Sequence, residues 1–342
     1  MAETAAAVAP ADTLARGSVV GAIARQRELS LLIVMLILGA GVTVVAPQFL
    51  TAANLSQVAV LASITAVAAV GQALVVITRN IDLSVEATMG LVAYCVAITL
   101  ESHVLNGPGA IALGIGIGVV LGMVNGVLVT IFKVPAIVAT LGTLSIFRGI
   151  DYLIAGPHQV PLAGLAPGFT DPARDTVLGI PVFVVVALII VAIATVVLRW
   201  TRFGRQLYAV GSNPEAAAVL GIPARGVVFA AFTLCGLLAG IAAVMWVMEF
   251  GTINGTAATG YVLAVVAAVV VGGVNIFGGS GTVVGAAIGA YFLGFVANAL
   301  ILVGLSQFWL QAIYGVVILV AVSADLLISR RIQRIAAASR TR

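Results

Sequence analysis

The sequence predicts an all-α integral membrane protein of about ten transmembrane helices with both termini in the cytoplasm, and three observations carry that prediction. Of 342 residues, 62% are hydrophobic and only 8% charged, with a mean hydropathy of +1.23, which no soluble core requires. Apolar runs of about 20 residues, enough to cross a hydrocarbon layer of roughly 30 Å, recur along the chain. The basic residues fall almost wholly on one side of the alternation that those runs impose.

The runs span 29–47, 57–78, 85–100, 110–131, 135–155, 177–198, 226–248, 259–276, 282–303 and 308–328. An N-terminus in the cytoplasm places Arg16, Arg25, Arg27, Arg79, Lys133, Arg199, Arg202, Arg205, Arg225, Arg330, Arg331, Arg334, Arg340 and Arg342 inside. Only Arg148 and Arg174 remain outside, so fourteen of sixteen cations obey the positive-inside rule. The net charge of +4 is therefore a signature of topology, not a nucleic-acid footprint. Residues 1–28, Ala-rich with scattered charge, are expected to form a disordered cytoplasmic tail, 29–328 the polytopic domain, and 329–342 a basic cytoplasmic tail. The first run is too long for a signal peptide and lacks a small-residue cleavage site, so it is expected to stay as an anchor.

The third and eighth runs are short, and each follows a polar break: Thr78-Arg79-Asn80-Ile81-Asp82-Leu83-Ser84 and Gly251-Thr252-Ile253-Asn254-Gly255-Thr256. Two halves of five spans would place these in corresponding positions and, five being odd, invert the second half. Paired interrupted spans point to a transport pathway, because irregular backbone survives at membrane depth only where protein or water satisfies it. Glycine, at 38 residues, is spaced by four at Gly114, Gly118, Gly122 and Gly126 and again at Gly281, Gly285 and Gly289, a pattern that lets helix backbones approach closely. Cys95 and Cys235 fall inside spans, where a thiol acts as a small hydrophobe. Trp200, Trp246 and Trp309 near span ends match an interfacial belt, with substrate stacking as the alternative.

Catalytic chemistry finds little support. His103 and His158 both lie in outer loops, with no Cys/His cluster or H-E-x-x-H, so no metal ligand set exists. Gly278-Gly279-Ser280-Gly281 has the G-x-S-G spelling of intramembrane serine proteases, yet the histidines sit across the membrane from it, which favours a glycine-rich turn. The single lysine, Lys133, follows Phe132 and no phosphate loop is present, so the chain is expected to bind no ATP and no cofactor itself. Energy must come from an ion or from a separate ATPase. Ion coupling usually needs intramembrane carboxylates, whereas Asp82, Glu86, Glu101, Asp151, Glu249 and Asp325 sit near span ends.

A docked ATPase accounts for the longest polar, basic-flanked stretch between spans, within the loop 199–225. Asn213 before Pro214 and Glu215 marks a helix start, with proline in the first turn and the carboxylate at the positive end of the dipole. Gly221 stops it. A helix of roughly two turns flanked by Arg202, Arg205 and Arg225, with small Ala216, Ala217 and Ala218, makes a knob that a partner's cleft can grip.

The spelling E-A-A-x-x-x-G from Glu215 to Gly221, with Gly204, Gly211, Asn213, Ala217 and Gly221-Ile222 around it, resembles the coupling loop of ribose-type sugar permeases of the ATP-binding-cassette class. Asn80-Ile81-Asp82-Leu83-Ser84-Val85, residues 125–150 and Thr259-Gly260-Tyr261 with residues 265–290 are similar to the same family, so the likeness covers about 30–328. It implies a homo- or heterodimer of permeases in lipid, in a bacterial cytoplasmic membrane, working with two ATPase domains that carry ATP and Mg and with an extracytoplasmic sugar-binding protein. The likeness is greatest to importers of rhamnose-like sugars or autoinducer-2, with ribose and xylose not separated. Glu86 departs from a usual glycine, and Val262 and Ala264 from frequent acids.

A neutral polyol needs hydrogen bonds but no counter-charge. The pathway candidates are accordingly Gln72, Asn80, Asp82, Asn125, Thr140, Thr143, Asn298 and Gln311, each with the alternative that it merely bonds a neighbouring helix. Burying Arg148 at mid-membrane would cost roughly 3 kcal/mol, so it is expected to reach the outer interface or pair with Asp151. With Arg174 it is a candidate to receive acidic residues of the binding protein. The alternative to an ATPase-driven subunit is a self-contained ion-coupled carrier.

Overall fold

A computed structural model of the chain describes residues 27–306, 308–320 and 323. The expected tails 1–28 and 329–342 lie outside these residues, but for positions 27 and 28. Each of the ten apolar runs carries a helix: α1 (Arg27–Val45), α2 (Ala52–Ile77), α3 (Val85–Glu101), α4 (Gly107–Thr130), α5 (Ala136–Ala155), α6 (Val182–Trp200), α9 (Ala224–Phe250), α10 (Tyr261–Val271), α11 (Val283–Leu302) and α12 (Phe308–Val320). Between α6 and α9 lie α7 (Arg202–Ser212) and α8 (Pro214–Val219). Six of them, α2, α4, α5, α6, α9 and α11, are long and apolar enough to cross a membrane. The protein is an all-α membrane protein whose sole sheet among the described residues is the two-stranded hairpin β1 (Thr176–Val177) and β2 (Ile180–Pro181).

Two of the runs are helical over clearly less than the expected length. The sixth run, expected from 177, begins with this hairpin, and α6 starts only after Pro181, which cannot donate to a ladder but sits well before a first helical turn. The eighth run, expected over 259–276, is helical only over Tyr261–Val271. Gly260 and Gly273 take positive φ of 81° and 88° on either side of it, which ends the helix at both ends.

Helix α2 forms the buried centre, and α9 lies against both α2 and α4. The α4–α9 crossing explains the first glycine ladder. A methyl group on Gly118 would collide with the Gly236 carbonyl, one on Gly122 would lie 2.5 Å from the Phe232 carbonyl, and one on Gly236 would strike the Gly118 carbonyl. The two backbones therefore touch, as small residues permit in lipid. The second ladder serves the α10–α11 contact, where Gly285 meets the Gly272 carbonyl and Gly289 the Ala268 carbonyl.

Candidate functional site

Three regions bear on function: an exposed knob, a buried polar knot, and a second break beside a cavity at the other end of the bundle. At the knob, Thr201 caps α7 by accepting from the Gly204 amide at 3.1 Å, and Asn213 caps α8 by accepting from the amides of Glu215 and Ala216 at 3.1 and 3.0 Å. Gly221, at φ 76°, ends the segment, so the helix start and stop expected at Asn213, Pro214 and Gly221 are both present. The sequence anticipated one helix here, and there are two. Helix α7 exists because Leu207 and Val210 bury on the bundle while Arg202 and Arg205 stay exposed.

The knob is fixed to both interrupted spans. Gly211 lies so close to the Ile77 carbonyl at the end of α2 and to Gly279 of the α10–α11 turn that no side chain fits. The Gly279 amide itself donates to the Ile77 carbonyl at 2.9 Å, Arg79 Nε to the Phe277 carbonyl at 2.7 Å, and the Tyr208 hydroxyl to the Gly281 carbonyl at 2.8 Å. Burial raises the Tyr208 phenol above its ordinary value, against a smaller opposing effect of Arg199, so it stays a donor. Gly204 in turn packs on the carbonyls of Val197 and Leu198. Beyond this weld α8 projects outward. Glu215 and Ala216 are exposed, Ala217 and half-buried Ile222 face the bundle, and Val219 and Leu220 are 88% and 77% exposed. Sequence reasoning missed that apolar tip, whose signal was two aliphatic residues inside a polar loop. Beside it a recess of about 350 Å³ is lined by Arg79, Lys133 and Arg225 with Asn80 and Pro214.

Most pathway candidates converge on the first break, where they bond one another. Asp82 Oδ1 accepts from the Ser84 amide and hydroxyl at 2.8 and 2.6 Å. Asn125 donates to the Ser84 hydroxyl at 2.7 Å and accepts from the Thr143 hydroxyl at 2.7 Å. Thr140 donates to the Ala136 carbonyl at 2.8 Å and the Ile81 carbonyl at 3.2 Å. The Gln72 amide, oriented to satisfy both of its ends, meets the Asp82 carbonyl and amide, each at 3.2 Å. Half-buried Asn80 turns back on Thr78. In this conformation Gln72, Asp82, Asn125, Thr140 and Thr143 tie α2 to α5 together and line no open channel, because each group's bonding capacity is taken up by a neighbour.

The second break, residues 251–260, is held by Arg148. Its Nη1 donates to the Ala257 carbonyl at 2.8 Å and stands 3.5 Å from Asp151 Oδ2, while Nη2 lies 3.7 Å from Glu86 Oε1. Glu86 Oε2 also accepts from the Val262 amide at 3.2 Å, in the first turn of α10. Arg148 is only 7% exposed, which corrects its assignment to docking: the pairing with Asp151 is present, but the guanidinium is turned inward. Arg174 remains exposed near Glu249 and Gln57.

Asn298 and Gln311 lie elsewhere, on a cavity of about 480 Å³ between α2, α9, α11 and α12. Trp246 lines it too. Its indole is half-buried there, unlike the largely exposed Trp200 and Trp309. Among the described residues no cluster of His, Cys, Asp and Glu could hold a metal ion.

This arrangement is that of a multi-pass, all-α membrane protein. The chain belongs to the family described as branched-chain amino acid transport system / permease component, whose pattern matches residues 54–322. It is 36% identical over 297 residues to the autoinducer 2 import system permease protein LsrC of Salmonella typhi, covering 87% of this chain and 85% of the relative. It is also 36% identical over 301 residues to the ribose import permease protein RbsC of Escherichia coli K12, covering 86% and 92%. The resemblance carried by the Glu215–Gly221 and Asn80–Val85 motifs is thus matched across most of the chain. No solved structure matches it.

Proposed function

We propose that the chain is the permease subunit of an ATP-driven importer in a bacterial cytoplasmic membrane, moving a monosaccharide or a sugar-like solute inward. The observation that carries this reading is the α7–α8 knob: an exposed aliphatic tip, Val219 and Leu220, on a support that packs through Gly211 on the Ile77 carbonyl at the end of α2 and donates from Tyr208 to the Gly281 carbonyl of the α10–α11 turn. A partner gripping that tip moves both interrupted spans together. The cationic recess beside it suits an acidic edge of the ATPase. ATP and Mg belong to that partner, a second permease chain completes the dimer, and an extracytoplasmic binding protein delivers the solute near Arg174.

Ten crossings with both termini inside, in two inverted halves, fit the packing. Exchanging α1–α5 with α6 and α9–α12 converts the α4–α9 contact into α11–α2 and leaves α2–α9 unchanged, and these are the three most extensive helix contacts. The sugar-importer reading rests on the relatives and on the uncharged outer cavity.

The test replaces Leu220 with Asp. ATP-driven uptake and co-purification of the ATPase should both fall more than 10-fold while the chain stays in the membrane; undiminished uptake would refute the coupling role. Buried Asp82, Glu86 and Asp151 are what favours an ion-coupled carrier instead, and uptake that an uncoupler abolishes in the absence of any ATPase would establish it.

A further inference from the structure

The outer cavity has a chemistry of its own. Among the described residues no charged side chain lines it. One wall is aromatic: the Trp246 indole lies 4.3 Å from the Phe250 ring and meets the edge of Tyr261 at 5.0 Å between centroids. Four polar groups of the lining are already occupied: the Tyr261 hydroxyl bonds Thr65 at 2.5 Å, the Thr259 hydroxyl donates to the Thr256 carbonyl at 2.8 Å, and Asn298 exchanges a pair of amide bonds with Asn54 at 2.8 and 2.9 Å. Gln311 and Tyr314 differ. Neither the amide of the one nor the hydroxyl of the other has a hydrogen-bond partner among the described residues, although both line the cavity. The Gln311 amide lies over Gly260, its nitrogen 2.6 Å from where a methyl group on that glycine would stand, so the break that Arg148 holds also places this amide.

An aromatic wall sharing one cavity with an amide and a phenol that have no partner among the described residues suits a small ring with one apolar face and a rim of hydroxyls. It does not suit a zwitterion, whose ammonium and carboxylate would be desolvated here with no counter-charge. We propose that this cavity is where a neutral monosaccharide ring first binds the permease, stacked on Trp246 and hydrogen-bonded by Gln311, and that the same site turns away amino acids. The proposal rests on the importer reading and assigns it a site and a selectivity.

The test is uptake by the complete transporter, with its ATPase and binding protein, in vesicles supplied with D-ribose, D-xylose, L-rhamnose, autoinducer-2 or L-leucine. The expected result is uptake of at least one neutral sugar and none of L-leucine. For that sugar, Gln311→Ala and Trp246→Ala should each raise KM at least 10-fold with unchanged membrane level and ATPase co-purification, while Trp246→Phe keeps KM within about 3-fold by preserving the stack. Wild-type KM in both alanine variants, with the sugar still imported, would overturn the site and leave the importer reading intact. Import of L-leucine in place of every sugar would overturn both. A third measurement covers the case in which Trp246→Ala fails to assemble. In a chain carrying Trp200→Phe and Trp309→Phe, Trp246 fluorescence should respond saturably to the imported sugar, and quenching by brominated lipid chains that the sugar does not relieve would show a lipid-filled cavity and overturn the proposal.

Discussion

Arg148 is a buried cation, 7% exposed, with Asp151 at 3.5 Å and Glu86 at 3.7 Å as its counter-charges. Removing one partner of a buried ion pair leaves the others unpaired and destabilises by about 3 to 5 kcal/mol, so Arg148→Met should lower the unfolding temperature in detergent markedly. Glu86→Gln combined with Arg148→Met should cost less than the sum of the two changes, since they share the contact at 3.7 Å. Additive losses would mean that the pair is not coupled. Glu86 does two things at once, pairing with Arg148 and capping the first turn of α10 at Val262. It thereby brings a carboxylate to the stretch where Val262 and Ala264 depart from acids, and of these two Ala264 lines the uncharged cavity. At the inner face, Asn213→Ala removes the cap of α8 and should cost about 1 kcal/mol of local helix stability, visible as faster hydrogen exchange in residues 214–219.

At the scale of elements, what the sequence made legible was local. The N-cap of Asn213 with Pro214 and the stop at Gly221 are decided within a few residues, so both are legible in the chain itself. Helix α7 was not, because its first-turn polarity resembles a loop and its helicity depends on burying Leu207 and Val210 against the bundle. Likewise the ladder from Gly114 to Gly126 announced a close contact, but its partners Gly236 and Gly240 are a tertiary fact. The ladder makes a sharp contrast testable: Gly118→Ala inserts a methyl into the Gly236 carbonyl, whereas around Gly116, on the same helix, nothing lies within 4 Å of the added carbon. The first substitution should reduce folded yield and thermal stability and the second should leave both within error. Equal behaviour would contradict the α4–α9 crossing.

For the whole molecule, the two interrupted spans divide the work between the two ends of the bundle. The break at Thr78–Ser84 joins the knob to a buried polar knot at one end, and the break at 251–260 joins the buried Arg148 to the uncharged cavity at the other. Polar residues in an apolar chain pointed to these places, yet which of them are occupied and which are free could not be read from spacing: Gln72, Asn125 and Thr143 have their bonds filled, while Gln311 does not. Trp246 was equally opaque, since a tryptophan near a span end has the same sequence appearance whether it faces lipid headgroups or a cavity. In the proposed transport cycle, a grip on the knob reaches the second break through the packed helices α2, α9 and α10 and becomes a change of access at the cavity.

The most direct measurement of that central claim is accumulation of the imported sugar in sealed vesicles holding this chain, its binding protein and its ATPase, with ATP supplied on the knob side and ion gradients collapsed. Accumulation should require both the ATPase and ATP, and should vanish with Leu220→Asp. Accumulation driven by a proton or sodium gradient with no ATPase present would contradict the account.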